Sequence, residues 1–347
     1  MGLKLLLTGG TGYIGSHAAV HFLNEGHEVF LFDNLSNSNK STLKNLFKIT
    51  GSEFPFIKGD IRDTDLVNGT LKSNAIEGVI HFAGLKSVAD SVQDPLVYFD
   101  NNVNGSLSLL KAMQASKVNF LVFSSSATVY GQPERLPMDE SHSLFPTNPY
   151  GKTKLQVEEI LSNACSANKS LRCISLRYFN PAGAHESGML GEQPKGVPNN
   201  IFPYISQVAL GKRKCLNIFG NDYDTPDGTG IRDYIHITDL IEGHIAALNY
   251  LLTIDSINRL KSLKKDENYF VSNLGSGRGY SVLEVVEEFQ KGCIKDIPIN
   301  ITSRRKGDVP ESYADASFAS KLLKWKTKKS LKDICKSIHN FQNISSP

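Results

Sequence analysis

The stretch NPYGKTK, residues 148–154, sets a phenol and an ammonium four positions apart, directly behind a proline. Pro149 is suited to the first position of a helix, because its fixed φ is already helical and its missing N–H is not needed there. A helix opening at Pro149 carries Tyr150 and Lys154 on one face. Both then lie in its first turns, at the positive end of the helix dipole. A phenol with a pKa near ~10 is a poor base at neutral pH. A neighbouring cation and a helix N-terminus both favour the phenolate, so the spacing is expected to lower the tyrosine pKa and make it a proton acceptor. An ordinary surface helix also carries such a pair by chance, so the meaning rests on the elements around it.

Those elements alternate. KLLLT (4–8), HEVFLFD (27–33), FPFIKGD (54–60), GVIHFAG (78–84), FLVFSSS (120–126) and LRCISLRYF (171–179) read as strands. Helical patterns lie between most of them, including one over 13–25 and a long one near 95–117. Strands apolar throughout and separated by helices indicate a parallel sheet covered on both faces. The fold class expected is α/β, a doubly wound Rossmann sheet with a smaller, interrupted substrate domain after it. We place the first domain at 1–180 and the second at 181–347, with some segments of the second returning to the first. Glycine, proline and asparagine dominate 180–200, which reads as a long functional loop. Further on, a helix near 200–210, a strand at 216–220, a helix after Thr238-Asp239 and a Ser281/Glu284 capping box opening a helix to about 291 are expected. The polar, lysine-rich stretch 253–268 reads as a surface insertion.

TGGTGYIGSH (8–17) joins the first strand to the first helix. Gly10, Gly12 and Gly15 satisfy GxGxxG, and Gly9, Gly12 and Gly15 satisfy GxxGxxG. Glycines permit the tight turn and let backbone N–H groups reach a pyrophosphate at the helix N-terminus. Asp33 ends the second strand. A carboxylate there binds both hydroxyls of an adenosine ribose and repels a 2′-phosphate, which favours NAD over NADP.

Bulk properties narrow the class. The 347 residues are 40% hydrophobic and 21% charged, as in a globular chain, and a net charge of +3 is too small to imply nucleic acid. Cys165, Cys173, Cys215, Cys293 and Cys335 are scattered and lack CxxC spacing, so neither a metal site nor a disulfide framework is expected. The apolar start is too short for a signal-peptide core, Leu6 breaks the myristoylation pattern, and no run approaches the ~20 apolar residues of a membrane span. A cytoplasmic location is the default expectation.

With these motifs in place, the chain resembles the extended short-chain dehydrogenase/reductase family, and within it the UDP-hexose 4-epimerases. HFAGLKSVADSV (81–92), DNNVNG (100–105), SSSATVYG (124–131), RYFNPAGAH (177–185) and FGNDYDTPDGTGIRDYIH (219–236) carry the likeness, in order, from about residue 3 to 325. The resemblance implies Ser126, Tyr150 and Lys154 as the catalytic set. It implies NAD contacts at Gly9, Gly12, Tyr13, Ile14, Gly15, Asp33, Asn34, Ser36, Asn37, Ser38, Asp60, Ile61, Phe82, Ala83, Gly84, Lys86, Asn101, Ser124 and Phe179, besides Tyr150 and Lys154. It implies UDP-sugar contacts at Lys86, Ser126, Tyr150, Asn180, Asn200, Asn217, Ile218, Phe219, Arg232, Arg305, Asp308 and Ser312. A diphosphate suits the planar, permanently charged fork of arginine, in agreement with Arg232 and Arg305.

The reaction implied is inversion at carbon 4 of a UDP-hexose through a 4-keto sugar, by a homodimer built on the helices near 95–117 and after Pro149. Sugar 4,6-dehydratases of the same family carry an Asp-Glu pair after the residue matching Ser126. Here Ala127 and Thr128 stand there, so dehydration is not expected. A reductase with net redox chemistry and a non-catalytic NAD-binding regulator share the same fold and compete with this reading. Four residues after Asp308, where epimerases restricted to UDP-glucose and UDP-galactose carry a tyrosine, this chain has Ser312. The smaller side chain implies acceptance of N-acetylated sugars as well.

Overall fold

The computed structural model describes residues 2–261, 268–293, 296–305 and 307–345. Strands β1 (Lys4–Thr8), β2 (Glu28–Asp33), β3 (Phe56–Lys58), β4 (Gly78–His81), β5 (Phe120–Ser126) and β6 (Arg172–Tyr178) form a parallel sheet. Successive residues of β1 point to opposite faces, and Leu5, Leu6 and Leu7 are all fully buried. Leu5 and Leu7 join one core with Ala18 and Phe22 of α1 (Tyr13–Asn24) and Leu46 of α2 (Ser41–Thr50). Leu6 joins the other core with Leu71 of α3 (Thr64–Ser73). Burial of each such side chain contributes about 1.5–3 kcal/mol, which is why these strands carry no polar face.

Three segments depart from the sequence reading. The helix expected near 95–117 is interrupted. After the short α4 (Val88–Gln93), α5 (Pro95–Tyr98) runs into a π-turn at Phe99–Asn104 and then α6 (Gly105–Ser116). Asn101 sits on that π-turn, a distortion often found at functional sites. The NPYGKTK motif opens α7 (Pro149–Ala167) as expected, with Asn148 as N-cap accepting from the Gly151 N–H at 2.8 Å. Beyond residue 180 come β7 (Asn180–Ala182), α8 (Ile201–Ala209), β8 (Leu216–Phe219), β9 (Ile231–His236), α9 (Ile237–Lys261) and β10 (Tyr269–Leu274). The stretch 253–268, read as an insertion, begins as the continuation of α9 to Lys261. Residues 262–267 lie outside the described residues.

β10 is the third departure, a strand that the sequence pattern does not reveal. It completes the main sheet in the order β10-β6-β5-β4-β1-β2-β3, and α9 packs on the same core as α1 through Leu240, Ile241 and Leu248. These two elements come from the second half of the chain to join the main sheet and its core. A separate core gathers Phe202, Ile205, Leu216 and Tyr234 with residues of two later helices, α10 (Val282–Cys293) and α12 (Leu331–Ser345); α11 (Ser317–Leu322) lies between them. The Ser281–Glu284 capping box opens α10, with reciprocal bonds of 2.7 and 3.1 Å. β11 (Gly279–Ser281) and β13 (Glu311–Ser312) flank β9, while β12 (Ile299–Thr302) pairs with β8.

Candidate active site

The strand order reverses between β1 and β4, and in open α/β sheets the crevice outside the strand ends at such a point takes the ligand. The glycine turn lies there. Gly9 has φ +67°, and a Cβ on it would meet the Ala83 backbone at 2.8 Å. A Cβ on Gly15 would meet the Gly9 carbonyl at 2.2 Å. Glycine is obligatory at both. The N-cap Gly12 offers no side-chain bond to the first N–H groups of α1, and no acidic residue stands in its first turn. Those donors, including the N–H groups of Tyr13 and Ile14, are therefore left to an anion, which is what a pyrophosphate is.

Asp33 is nearly buried at the end of β2, with its carboxylate fixed by its neighbours. Oδ2 accepts from the Thr11 N–H at 3.1 Å; Oδ1 accepts from the Leu35 N–H at 2.8 Å and from Ser38 Oγ at 3.0 Å. Asn34 donates to Asp60 at 3.2 Å, while Ser36 and Asn37 are exposed on the same loop. Arg62 holds the Asp60 carboxyl well below the usual range through direct hydrogen bonds. Ile61 is buried in the core, so any contact it makes is through its backbone. Phe82, Ala83 and Gly84 follow β4; the Ala83 N–H donates to Thr8 Oγ1 at 3.3 Å, and the Phe82 ring packs 5.1 Å from His244. Phe179 follows β6 and is buried. The residues thus form a cradle of the right chemistry for a dinucleotide: glycine turn, open helix end and fixed ribose acid.

α7 lies along the end of β5 in a defined register. The Ser126 side chain lies beside Tyr150 and favours its phenolate. Lys154 Nζ donates to the Ser124 carbonyl at 2.6 Å, and Ser125 Oγ donates to the Glu158 carboxylate at 2.5 Å. Arg177 of β6 grips the same carboxylate with two N–H groups at 3.0 and 2.6 Å and donates to Tyr130 Oη at 3.1 Å. Glu158 and Arg177 are not evident from the sequence. Four-residue spacing from Lys154 is the only signal for the first, and nothing in the sequence marks the arginine of a strand as its partner.

The electrostatics correct one expectation. Burial pushes the Tyr150 phenol up to about 12, against the pull of Ser126, whereas the helix and lysine were expected to lower it. The reason is visible in the lysine: Nζ lies 5.8 Å from the Tyr150 ring centre and turns to the Ser124 carbonyl. Burial also lowers Lys154 itself to about 8, with Glu158 opposing. Desolvation outweighs the local cation.

A second group of residues surrounds the end of β8 and β9. The Arg305 guanidinium stacks 4.7 Å from the centre of the exposed Phe219 ring and bonds Asp308 at 2.9 Å. The other oxygen of Asp308 lies 4.0 Å from Arg232. Asn217 accepts from Asn300 at 3.0 Å, and the Ile218 side chain is buried, leaving only its backbone for a ligand. Asn180 lies in β7, paired to β9 opposite Tyr234. Ser312 pairs with Arg232 in the sheet, whereas Tyr313 lies on the other face, 3.1 Å from a Cβ built on Gly279. Neighbouring strand residues face opposite ways, so the tyrosine does not fill the space beside Arg232. Lys86 and Asn200 are brought together by a residue that the sequence does not single out: Glu192 accepts from Lys86 at 2.6 Å and from Asn200 at 2.8 Å.

Comparison with known proteins agrees with this geometry. The family model described as GDP-mannose 4,6 dehydratase matches residues 6–338. A UDP-glucose 4-epimerase of Dictyostelium discoideum is 47% identical over 342 residues, 99% of this chain and 96% of its own. The chain belongs to the UDP-glucose 4-epimerase family. A solved UDP-glucose 4-epimerase of Bifidobacterium longum, in complex with NAD+ and UDP, matches this epimerase chain with a TM-score of 0.91 and 45% identity, covering 98% of each. The UDP-Glc/GlcNAc 4-epimerase of Campylobacter jejuni matches with a TM-score of 0.82 and 37% identity, over 99% of this chain and 100% of its own. Within the broad dehydratase-named family, the epimerase assignment fits the local chemistry. Thr128 stands where a dehydratase carries an acid, and its hydroxyl and N–H both donate to Ser126 Oγ, at 2.9 and 3.2 Å.

Proposed function

We propose that this chain inverts carbon 4 of UDP-hexoses, interconverting UDP-glucose with UDP-galactose and UDP-N-acetylglucosamine with UDP-N-acetylgalactosamine, with NAD as resident cofactor. The observation that carries the reading is the meeting of Tyr150, Lys154 and Ser126 at the end of β5, beside the glycine turn, with Arg232 of β9 and Arg305 of the loop after β12 both next to Asp308.

NAD, when bound, supplies a positive charge, the acceptor for the carbon-4 hydride and its return to the opposite face. Burial keeps the Tyr150 phenol protonated in the chain alone. With the positive charge of the cofactor beside it, Tyr150 would act as the phenolate and take the proton of the sugar's 4-hydroxyl as the carbon-4 hydride leaves, so a 4-keto sugar would form. Ser126 holds the same oxygen and shares the proton. Lys154, anchored on the Ser124 carbonyl, would hold the nicotinamide ribose. Asp33 and the loop 34–38 hold the adenosine ribose. Arg232 and Arg305 hold the diphosphate while the 4-keto sugar turns over. Tyr150 then returns its proton to the carbonyl oxygen, and the product differs only in the hand of carbon 4.

In this reading residues 1–180 bind NAD and 181–347 bind substrate, with α9 and β10 returning to the first domain. The acetamido group of an N-acetylated sugar lies in the space left by Ser312. The chain acts as a homodimer in the cytoplasm, through the 95–117 region and α7; the exposed side chains of Val92, Leu96 and Val97 support this face. No helix among the described residues is long and apolar enough to cross a membrane. Incubation of the pure protein with UDP-galactose and, separately, with UDP-N-acetylgalactosamine, with the products resolved by chromatography, tests the assignment. Both 4-epimers should form without added reductant. Net consumption of NADH, or loss of water from the sugar, would overturn it.

A further inference from the structure

The glycine- and proline-rich segment 183–200 crosses the cofactor cleft and is fastened at both edges. At its start the Gly183 carbonyl accepts from Tyr13 Oη, in the first turn of α1, at 2.7 Å. Midway, Glu192 accepts from Lys86, which follows the end of β4, at 2.6 Å. Three residues later the chain has reached the opposite rim. Lys195 Nζ donates to the carbonyls of Leu35 and Ser36, at 3.1 and 2.9 Å, on the loop that begins with the ribose acid Asp33. The two fasteners therefore hold different halves of the site. Glu192 closes the side of β4, and Lys195 closes the adenosine side. Lys195 uses backbone carbonyls as acceptors, so its grip does not depend on a partner side chain being present. The Glu192 carboxylate is nearly buried, with a side-chain exposure of 11%, and its oxygen bonds two donors at once.

The reaction gives this strap a task. In the proposed reaction NAD would have to stay in place while the sugar is at the 4-keto stage, and its escape then would leave a dead product. A redox-neutral enzyme needs a cofactor that stays. We propose that Glu192 and Lys195 are the cofactor-retaining residues of this chain, fastening segment 183–200 across the bound NAD so that it remains through many turnovers. The inference rests on the epimerase reading, since a net reductase would need the opposite property.

The test measures release, not rate of catalysis. Protein carrying NAD is freed of unbound nucleotide by gel filtration. Its spontaneous loss is then followed with an alcohol dehydrogenase and ethanol trap, which reduces only NAD that has entered solution. Wild type, Glu192→Gln, Lys195→Met and the double variant are compared, with Lys72→Met, on the exposed end of α3, as a charge control and Lys195→Arg as the conservative replacement. The double variant should release NAD at least about tenfold faster, the ratio equivalent to ~1.4 kcal/mol, and its turnover should become dependent on added NAD. Lys195→Arg should restore slow release. Equal release from wild type and double variant, or rapid release from the wild type itself, overturns the proposal. Failure of wild type to interconvert UDP-galactose and UDP-glucose would instead strike the epimerase reading, and the release rates would still be readable. Circular dichroism of each variant separates a loosened strap from a misfolded chain.

Discussion

Replacing Lys154 with methionine keeps the aliphatic stem and removes a cation that burial disfavours. The ammonium releases its proton at about 8 in the folded chain, against 10.5 for an ordinary lysine. Between those values the unfolded chain binds the extra proton, so the folded state gains stability as pH rises through the window. Below pH 8 both states are protonated and the whole deficit is present. The difference in pKa corresponds to about 3 kcal/mol, and Lys154 is only 5% exposed, so solvent screening does not erode it. Lys154→Met lacks this titration. Its stability relative to wild type should therefore fall by about 3 kcal/mol between pH 8 and 10.5, whatever offset the lost bond to the Ser124 carbonyl sets at neutral pH. Urea unfolding of NAD-free protein, repeated across that range for both chains, gives the two profiles, and their difference cancels every other group. A flat difference, or one that moves in the variant's favour as pH rises, would show that the buried ammonium is not disfavoured. The same variant should lose epimerase activity, so the chain carries a destabilised cation for the sake of its chemistry.

Tyr150→Phe should lower turnover by about 10²–10⁴-fold, the usual worth of a positioned acid–base group, while calorimetry shows UDP binding little changed; retained turnover would shift the base role to Ser126. Asp33→Ala should weaken NAD binding by roughly tenfold or more, the value of a charge-assisted hydrogen bond, and wild type holding NADP as tightly as NAD in equilibrium titration would refute the role given to Asp33. Ser312→Tyr should cut turnover of N-acetylated sugars by roughly tenfold or more, since filling an occupied space costs ~1–3 kcal/mol, and should spare UDP-glucose and UDP-galactose; equal losses on both pairs would sink the steric argument.

Much of the fold is readable from the sequence because its signals are local. The apolar runs of β1 to β6 lie between glycine turns and amphipathic helices, and the start of α7 is written in Asn148 and Pro149. The elements that stay hidden depend on distant partners. β10, YFVSNL, joins the sheet beside β6 at Tyr269↔Cys173, across almost a hundred residues, and its pattern alone does not say which sheet it enters. The π-turn at Phe99–Asn104 leaves no mark in side-chain periodicity. For the site, residue types and order indicate who is present, but not their electrostatics. The Tyr150–Lys154 spacing suggests a lowered phenol pKa; burial, which only the folded chain supplies, reverses the direction. Glu192 is invisible for the opposite reason, an acid in a polar loop whose two partners come from Lys86 and Asn200.

Tyr150, Lys154 and Glu158 stand at intervals of four along α7 and engage Ser126, Ser124 and Ser125 of a single strand end. A helix advances about 1.5 Å per residue, so a slip by one position would disengage all three contacts together, along with the grip of Arg177 on Glu158. The helix is indexed to the strand like a key to its wards. Partial misalignment has no intermediate resting place, and a population of damaged chains should sort into fully active and silent molecules. Specific activity in partly inactivated samples would then measure how many sites are intact, with the Michaelis constant of the survivors unchanged.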